Sequence, residues 1–281
     1  NISMMKNCDY ETIQKTMEGS ALAAGKMILE ADGSSLRDVT VTTKSGRRDL
    51  VTSLDLEIQK MLMTELHELV PSCHFLCEEN IPSLSEHTLS SPEDIDKDIC
   101  FIIDPIDGTA NFVHGNRHSC TSIAMTVDGR TQLGIVYDPY RDELFSARRG
   151  SGCSLNGKQL PAFDSPVSGE ITVFGTAPYD DAVNAPTFRL ARRLYEMSAD
   201  VRRTGSAALD CCWTACGRFG LYAELSLSPW DFAAGKLIAE ETGCIVTDIQ
   251  GCTLSFSGKP SILCGRPAAV RAFLEQGPIG R

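Results

Sequence analysis

The apolar run Cys100-Phe101-Ile102-Ile103 leads straight into Asp104-Pro105-Ile106-Asp107-Gly108-Thr109. Two carboxylates three residues apart, placed where a buried strand ends, constrain this chain more than any other feature. Pro105 fixes its own φ and Gly108 permits a tight turn, so both side chains can face one point. Carboxylates that close repel, and one would ordinarily take up a proton. A hard divalent cation with oxygen ligands removes the conflict. Gly108 and Thr109 follow at a helix or turn start, where backbone N–H groups suit a phosphate oxygen. Alone, the segment reads first as a surface turn with Asx hydrogen bonds. Two further acidic points shift the balance: Glu78-Glu79 after the apolar run His74–Cys77, and Asp231 opening the small-residue segment FAAGKLIAEETG.

The hydrophobic pattern predicts helices over 9–30 and 52–69, the second ended by Pro71, and buried strands at 74–77 and 100–103. The polar, Ser- and Pro-containing stretch 81–98 reads as a loop or flap. Asp128-Gly129 and Asn156-Gly157 mark turns in an antiparallel meander from 119 to 155. Beyond about residue 165, short strands alternate with helices near 184–199, 206–217, 231–242 and 267–276. This is a layered α/β texture. The expected organisation is one unit of two subdomains: an α+β part (1–165) with an antiparallel sheet and most of the acidic cluster, and an α/β part (166–281) contributing Asp231.

Charge narrows the partners. With 26 Lys and Arg against 37 Asp and Glu, the formal charge is −11, which disfavours nucleic acid and anionic membrane surfaces. A small anionic substrate would need a local reversal of the field, most simply bound cations. No apolar run approaches the length of a membrane span, and 1–14 does not have the pattern of a signal peptide. Twelve cysteines without a C-x-x-C read as buried free thiols, as in a cytoplasmic protein. Five histidines form no H-E-x-x-H motif, Ser151 is not in a nucleophile elbow, and Gly205-Ser206 lacks the rest of a P-loop. Arg202-Arg203 reads as a local structural or interfacial pair.

Asp104–Phe112 (DPIDGTANF), Trp230–Gly235 (WDFAAG) and Glu78-Glu79 together resemble the signatures of the inositol monophosphatase family, which are magnesium-dependent, lithium-sensitive phosphatases. The likeness extends to Asp49–Asp55, Gly205–Ala208 and Glu224, and so covers nearly the whole chain. It implies an αβαβα sandwich like that of the sugar phosphatases, a homodimer, and hydrolysis of myo-inositol monophosphate to inositol and phosphate. By the resemblance, Glu78, Asp104 and the Ile106 carbonyl hold one Mg2+, and Asp104, Asp107 and Asp231 hold a second. A weaker third cation lies near Glu78, and Li+ inhibits. Thr109 and Asp55 orient and deprotonate the attacking water, with Glu78 beside them. Gly108 and Thr109 cradle the phosphate. Asp107, Gly205, Ser206, Ala207, Glu224 and Asp231 line the polyol side, and Lys44 sits on a mobile loop.

Some positions depart from the family pattern: Cys77 stands where glycine is usual, Ala110 where threonine is common, and the stretch 80–98 is long. None removes a metal carboxylate. Competing expectations are a related phosphatase acting on fructose-1,6-bisphosphate or a 3′-phosphonucleotide, and a non-catalytic metal- or phosphoinositol-binding regulator. The regulator would be expected to have lost Thr109, Asp55 or a metal acid, and all are present.

Overall fold

The computed structural model describes residues 10–33, 41–43, 50–89, 91–96, 98–177 and 180–279. The first half opens with helix α1 (Tyr10–Gly33), the short antiparallel pair β1 (Val41–Thr43) and β2 (Leu50–Thr52), and helix α2 (Ser53–Leu69). Lys44 and the turn around it lie outside the described residues. A capping box starts α2: the Thr52 hydroxyl accepts from the Asp55 N–H, and the Asp55 carboxylate accepts from the Thr52 N–H.

Seven strands then pair in sequence order: β3 (His74–Cys77), β4 (Ile99–Asp107), β5 (Cys120–Val127), β6 (Arg130–Asp138), β7 (Glu143–Arg148), β8 (Gly152–Leu155) and β9 (Lys158–Gln159). β3 and β4 run parallel and every other pair is antiparallel. A short helix α3 (Thr109–Val113) follows β4. The stretch between β3 and β4, expected as a plain loop, contains two 3-10 turns, Pro82–His87 and Pro92–Asp96. Thr88 also bridges to Phe75 beside β3.

The second half supplies β10 (Ile171–Phe174), α4 (Asn184–Met197), β11 (Asp200–Arg202), α5 (Ala207–Ala215), β12 (Leu221–Glu224), α6 (Pro229–Glu240), β13 (Ile245–Thr247), β14 (Ile262–Gly265) and α7 (Pro267–Glu275). Its strands form one mixed sheet in the order β11-β10-β12-β14-β13.

The layers follow from which faces are apolar. β4 is buried along its whole length, as a strand covered on both sides must be. Phe101 and Ile103 pack into a core with Ile13, Met17, Ile58 and Leu62 of α1 and α2. Cys100 and Ile102 point the other way, into a core with Leu209 of α5 and Phe232 and Leu237 of α6. On the far side of the five-stranded sheet, Leu221, Ala223 and Leu263 meet Leu190 and Leu194 of α4 and Phe273 of α7. The order is helix, sheet, helix, sheet, helix, and the central layer draws its core from both halves of the chain. The middle helices sit close because small residues let them. A Cβ on Gly134 of β6 would lie 2.9 Å from the Ala234 carbonyl oxygen of α6, and one on Gly235 would lie 2.6 Å from the Cys211 Cβ of α5.

Candidate active site

The acids converge where β3, β4, α5 and α6 meet. Asp104 pairs with Ser122 and Asp107 with Cys120, so three steps along β4 face two along β5. Residues i and i+3 of a regular strand point to opposite faces. The extra residue of this bulge resets the alternation and lets both carboxylates face the same way. Pro105, with no N–H to donate, sits within it. The sequence suggested a turn after Ile103. The strand instead continues to Asp107 through the bulge.

Asp231 is the third residue of α6, where its carboxylate accepts from the Ser228 N–H at 2.7 Å in a second capping box. One ligand oxygen from each of Asp104, Asp107 and Asp231 lies within 4.8 Å of the others. A second group with the same spacing consists of Asp55, Glu78 and Glu79. Gln59 of α2 holds that strand end by its main chain: its Nε2 donates to the Glu79 carbonyl at 2.7 Å, and its Oε1 accepts from the Glu79 N–H at 2.9 Å. No sequence signal singled out Gln59.

Glu78, Asp104, Ile106, Asp107, Gly108, Thr109, Gly205, Ser206, Ala207, Glu224 and Asp231 line one cavity of about 130 Å³. Asp55 is buried at the start of α2 and reaches the cluster through Glu78 and Glu79. The Thr109 hydroxyl donates to the Ile106 carbonyl at 3.0 Å, while Asp55 Oδ2 accepts from the Thr52 N–H at 2.8 Å and from the Thr52 hydroxyl. In this arrangement the Thr109 hydroxyl donates to the Ile106 carbonyl rather than to Asp55.

Asp107 Oδ2 accepts from the Ser206 hydroxyl at 2.6 Å and the Ala208 N–H at 2.8 Å, which joins β4 to the start of α5. Asn111 of α3 donates to the carbonyls of His118 and Thr204, fixing the wall that carries Gly205. Gly108 and Gly205 adopt φ of +90° and +93°, and a Cβ on Gly108 would lie 3.1 Å from the Gly205 carbonyl oxygen.

Glu224, at the end of β12, accepts from the Tyr222 hydroxyl at 2.6 Å. A Cβ on Gly175 would fall 1.6 Å from Glu224 Oε2, so that position must be glycine for Glu224 to lie as it does. The cavity also has walls that the sequence did not mark: Gly175, Thr176, Arg203, Asp210 and Leu227. Arg203, which the sequence suggested was structural or interfacial, stands at the rim and donates to the Thr176 hydroxyl at 2.9 Å. Asp210 accepts from the Thr204 hydroxyl at 2.6 Å.

Burial raises the affinity of these acids for protons. Asp104 is held well above the usual carboxylate range by burial and then by Glu78, Asp107 and Asp231. Burial pushes Asp107 up to about 6 against the opposing donors Ser206 and Ala208. Glu224 rises to about 7, chiefly through burial, and burial likewise lifts Asp231 and Asp210. Crowded buried carboxylates without compensating cations must hold protons. Asp104 Oδ1 is buried without a hydrogen-bond donor among the described residues, an acceptor that a hard cation would satisfy. The donor set of oxygens alone fits Mg2+.

A model of the inositol monophosphatase family matches residues 9–276. The chain belongs to the inositol monophosphatase family. Curated relatives include the Escherichia coli protein named Nus factor SuhB, 35% identical over 257 residues that cover 91% of each chain. Among solved structures, the extragenic suppressor protein suhB of Bartonella henselae superposes with a TM-score of 0.83 at 30% identity, covering 95% of this chain and all of that one. SaIMPase-II, an inositol monophosphatase from Staphylococcus aureus solved with inositol monophosphate bound, gives a TM-score of 0.75 at 26% identity over 93% of this chain and 91% of its own. The layered α/β sandwich is that of the family. Among the described residues no histidine or cysteine joins a candidate metal group, and the cysteines are free thiols, most of them buried. No helix among them is long and apolar enough to cross a membrane.

Proposed function

We propose that this chain hydrolyses the phosphate monoester of a polyol, with myo-inositol monophosphate as the preferred substrate, using Mg2+. The observation that carries this reading is the set Asp104, Asp107 and Asp231, gathered within 4.8 Å at the wall of a cavity that also exposes Thr109 and Glu224. Glu78, Asp104 and the Ile106 carbonyl would hold one cation, Asp104, Asp107 and Asp231 a second, with a weaker third near Glu78. The cations, when bound, acidify water and neutralise both the phosphate and the departing alkoxide.

The protein's own groups do the rest. Gly108 and Thr109 face the phosphate with backbone N–H groups. Thr109 turns its hydroxyl from the Ile106 carbonyl to the attacking water, and with Asp55 orients that water and accepts its proton. Glu224 accepts from ring hydroxyls while Gly205, Ser206 and Ala207 shape the polyol side. Asp107 and Asp231 line both regions, which ties substrate orientation to the charged cluster. The two halves of the chain meet at this cavity. On this reading Li+ inhibits, and the working form is a cytoplasmic homodimer. The test is phosphate release from inositol monophosphate, fructose-1,6-bisphosphate and a 3′-phosphonucleotide measured side by side with and without Mg2+. The reading requires turnover to be fastest on the first and lost without the metal.

The name Nus factor, carried by the curated relatives, supports a second role, that of a Nus factor. An Asp231→Asn variant that has lost turnover would retain such a role.

A further inference from the structure

A second cavity, of about 360 Å³, lies between the β5–β6 turn, the end of β7, helix α6 and the segment 253–257. We propose that it is a binding site for a small phosphate-bearing anion, separate from the acidic cavity.

Charge makes the first part of the argument. Arg130, Arg149 and Lys236 line this cavity, against Asp128 as the one lining acid among the described residues. Arg149 Nη2 reaches Glu240 Oε2 at 3.2 Å, and Lys236 Nζ contacts Glu240 Oε1. Two cations thus share one carboxylate while their side chains are only 22% and 16% exposed. The neighbouring Glu241 is engaged elsewhere, accepting from the N–H groups of Gly150 and Gly152 at 2.9 Å. Arg130 makes no ion pair among the described residues. Arg130, Arg149 and Lys236 against Asp128 and Glu240 leave a surplus of positive charge among the described residues here, which favours an anion, all the more in a chain of formal charge −11.

The fourth wall fits the same ligand. Leu254 is buried, and Phe256 stacks on Phe232 of α6 with ring centroids 5.6 Å apart. These two alternate residues hold the segment down and leave Thr253, Ser255 and Ser257 outward, three hydroxyls on the cavity wall. Guanidinium, ammonium and hydroxyl donors around one space match the acceptor oxygens of a phosphate group. Phe256, Pro92 and Ile95 add an apolar surface for the rest of the molecule, and the volume is that of a small-molecule pocket.

The probe is inorganic pyrophosphate, titrated calorimetrically into the whole chain in excess EDTA. EDTA leaves the acidic cavity no metal with which to hold a polyanion, and the Lys236 and Arg130 variants show whether binding reports on the second cavity. The proposal expects one equivalent to bind, a Kd at least tenfold weaker in Lys236→Gln and at least fivefold weaker in Arg130→Gln, and affinity that falls with salt. Arg130 is exposed on a hairpin turn, so its variant keeps the test valid if Lys236→Gln fails to fold. Absence of binding in EDTA, or an unchanged Kd in Arg130→Gln, overturns the proposal.

Discussion

Asp104 and Asp107 lie three residues apart on β4 yet oppose Ser122 and Cys120, two residues apart on β5. That single extra residue turns two carboxylates that regular pleating would separate toward one another. With Asp231 brought in from the first turn of α6, the result is a concentrated negative charge in a buried place. The geometry fits metal-dependent phosphate chemistry and is unstable to the removal of counter-charge, which gives the first prediction.

In metal-free protein burial raises the pKa of Asp107 from its ordinary 3.8 to about 6. A raised acid contributes stability that is fully present below about 3.8 and is lost as pH rises through about 6. Replacing it with Asn removes that dependence. The stability of the parent minus that of Asp107→Asn, from urea melts in EDTA, is therefore expected to fall between pH 4 and 7. A difference that rises over this range would contradict the account.

Thr109→Ala keeps every acid and removes one hydroxyl. If Thr109 activates water, kcat falls by about 10²–10⁴-fold with little change in the Mg2+ concentration giving half-maximal rate. Loss through weakened Mg2+ binding alone would assign the hydroxyl to the metal shell.

Gly175→Ala would place a methyl 1.6 Å from Glu224 Oε2. Relief requires Glu224 to swing away, breaking its bond from Tyr222. Overpacking of this kind costs about 1–3 kcal/mol, and KM for inositol monophosphate should rise more than kcat falls. Steady-state kinetics with thermal melts separate the two effects.

Arg266 is wholly buried and donates to the carbonyls of Thr214, Ala215 and Thr242, at the ends of α5 and α6, while lying over the Phe163 ring. It caps the C-termini of the two helices whose N-termini carry Ala208 and Asp231. Arg266→Met leaves those carbonyls without their donor and is expected to destabilise the fold by about 2–4 kcal/mol in urea. A change under 1 kcal/mol would show that the cap is dispensable.

Much of the architecture was legible because the local signals agreed. The Asp128-Gly129 hairpin, the buried runs at 74–77 and 100–103 and the alternation after 165 correspond to β5–β6, β3, β4 and the second sheet. Glu78 and Asp104 were legible because each follows an apolar run, and Asp231 because it opens a small-residue segment. The bulge was not, since a Pro in an otherwise strand-like stretch reads as a turn. Gln59, Gly175 and Asp210 lie outside the quoted motifs and reach the site through tertiary contacts. Arg203 resembled any surface pair until the fold set it beside Thr176. The 3-10 turns at 82–87 and 92–96 lie in a polar segment whose periodicity gives no sign of them.

The most direct test of the central claim is the rate of phosphate release from myo-inositol monophosphate as Mg2+ is titrated into metal-free protein, for the parent chain and for Asp231→Asn. The account predicts no turnover without the cation, saturable activation with it, and a loss of at least 10²-fold in the variant. Undiminished release in EDTA, or full activity in Asp231→Asn, would contradict it.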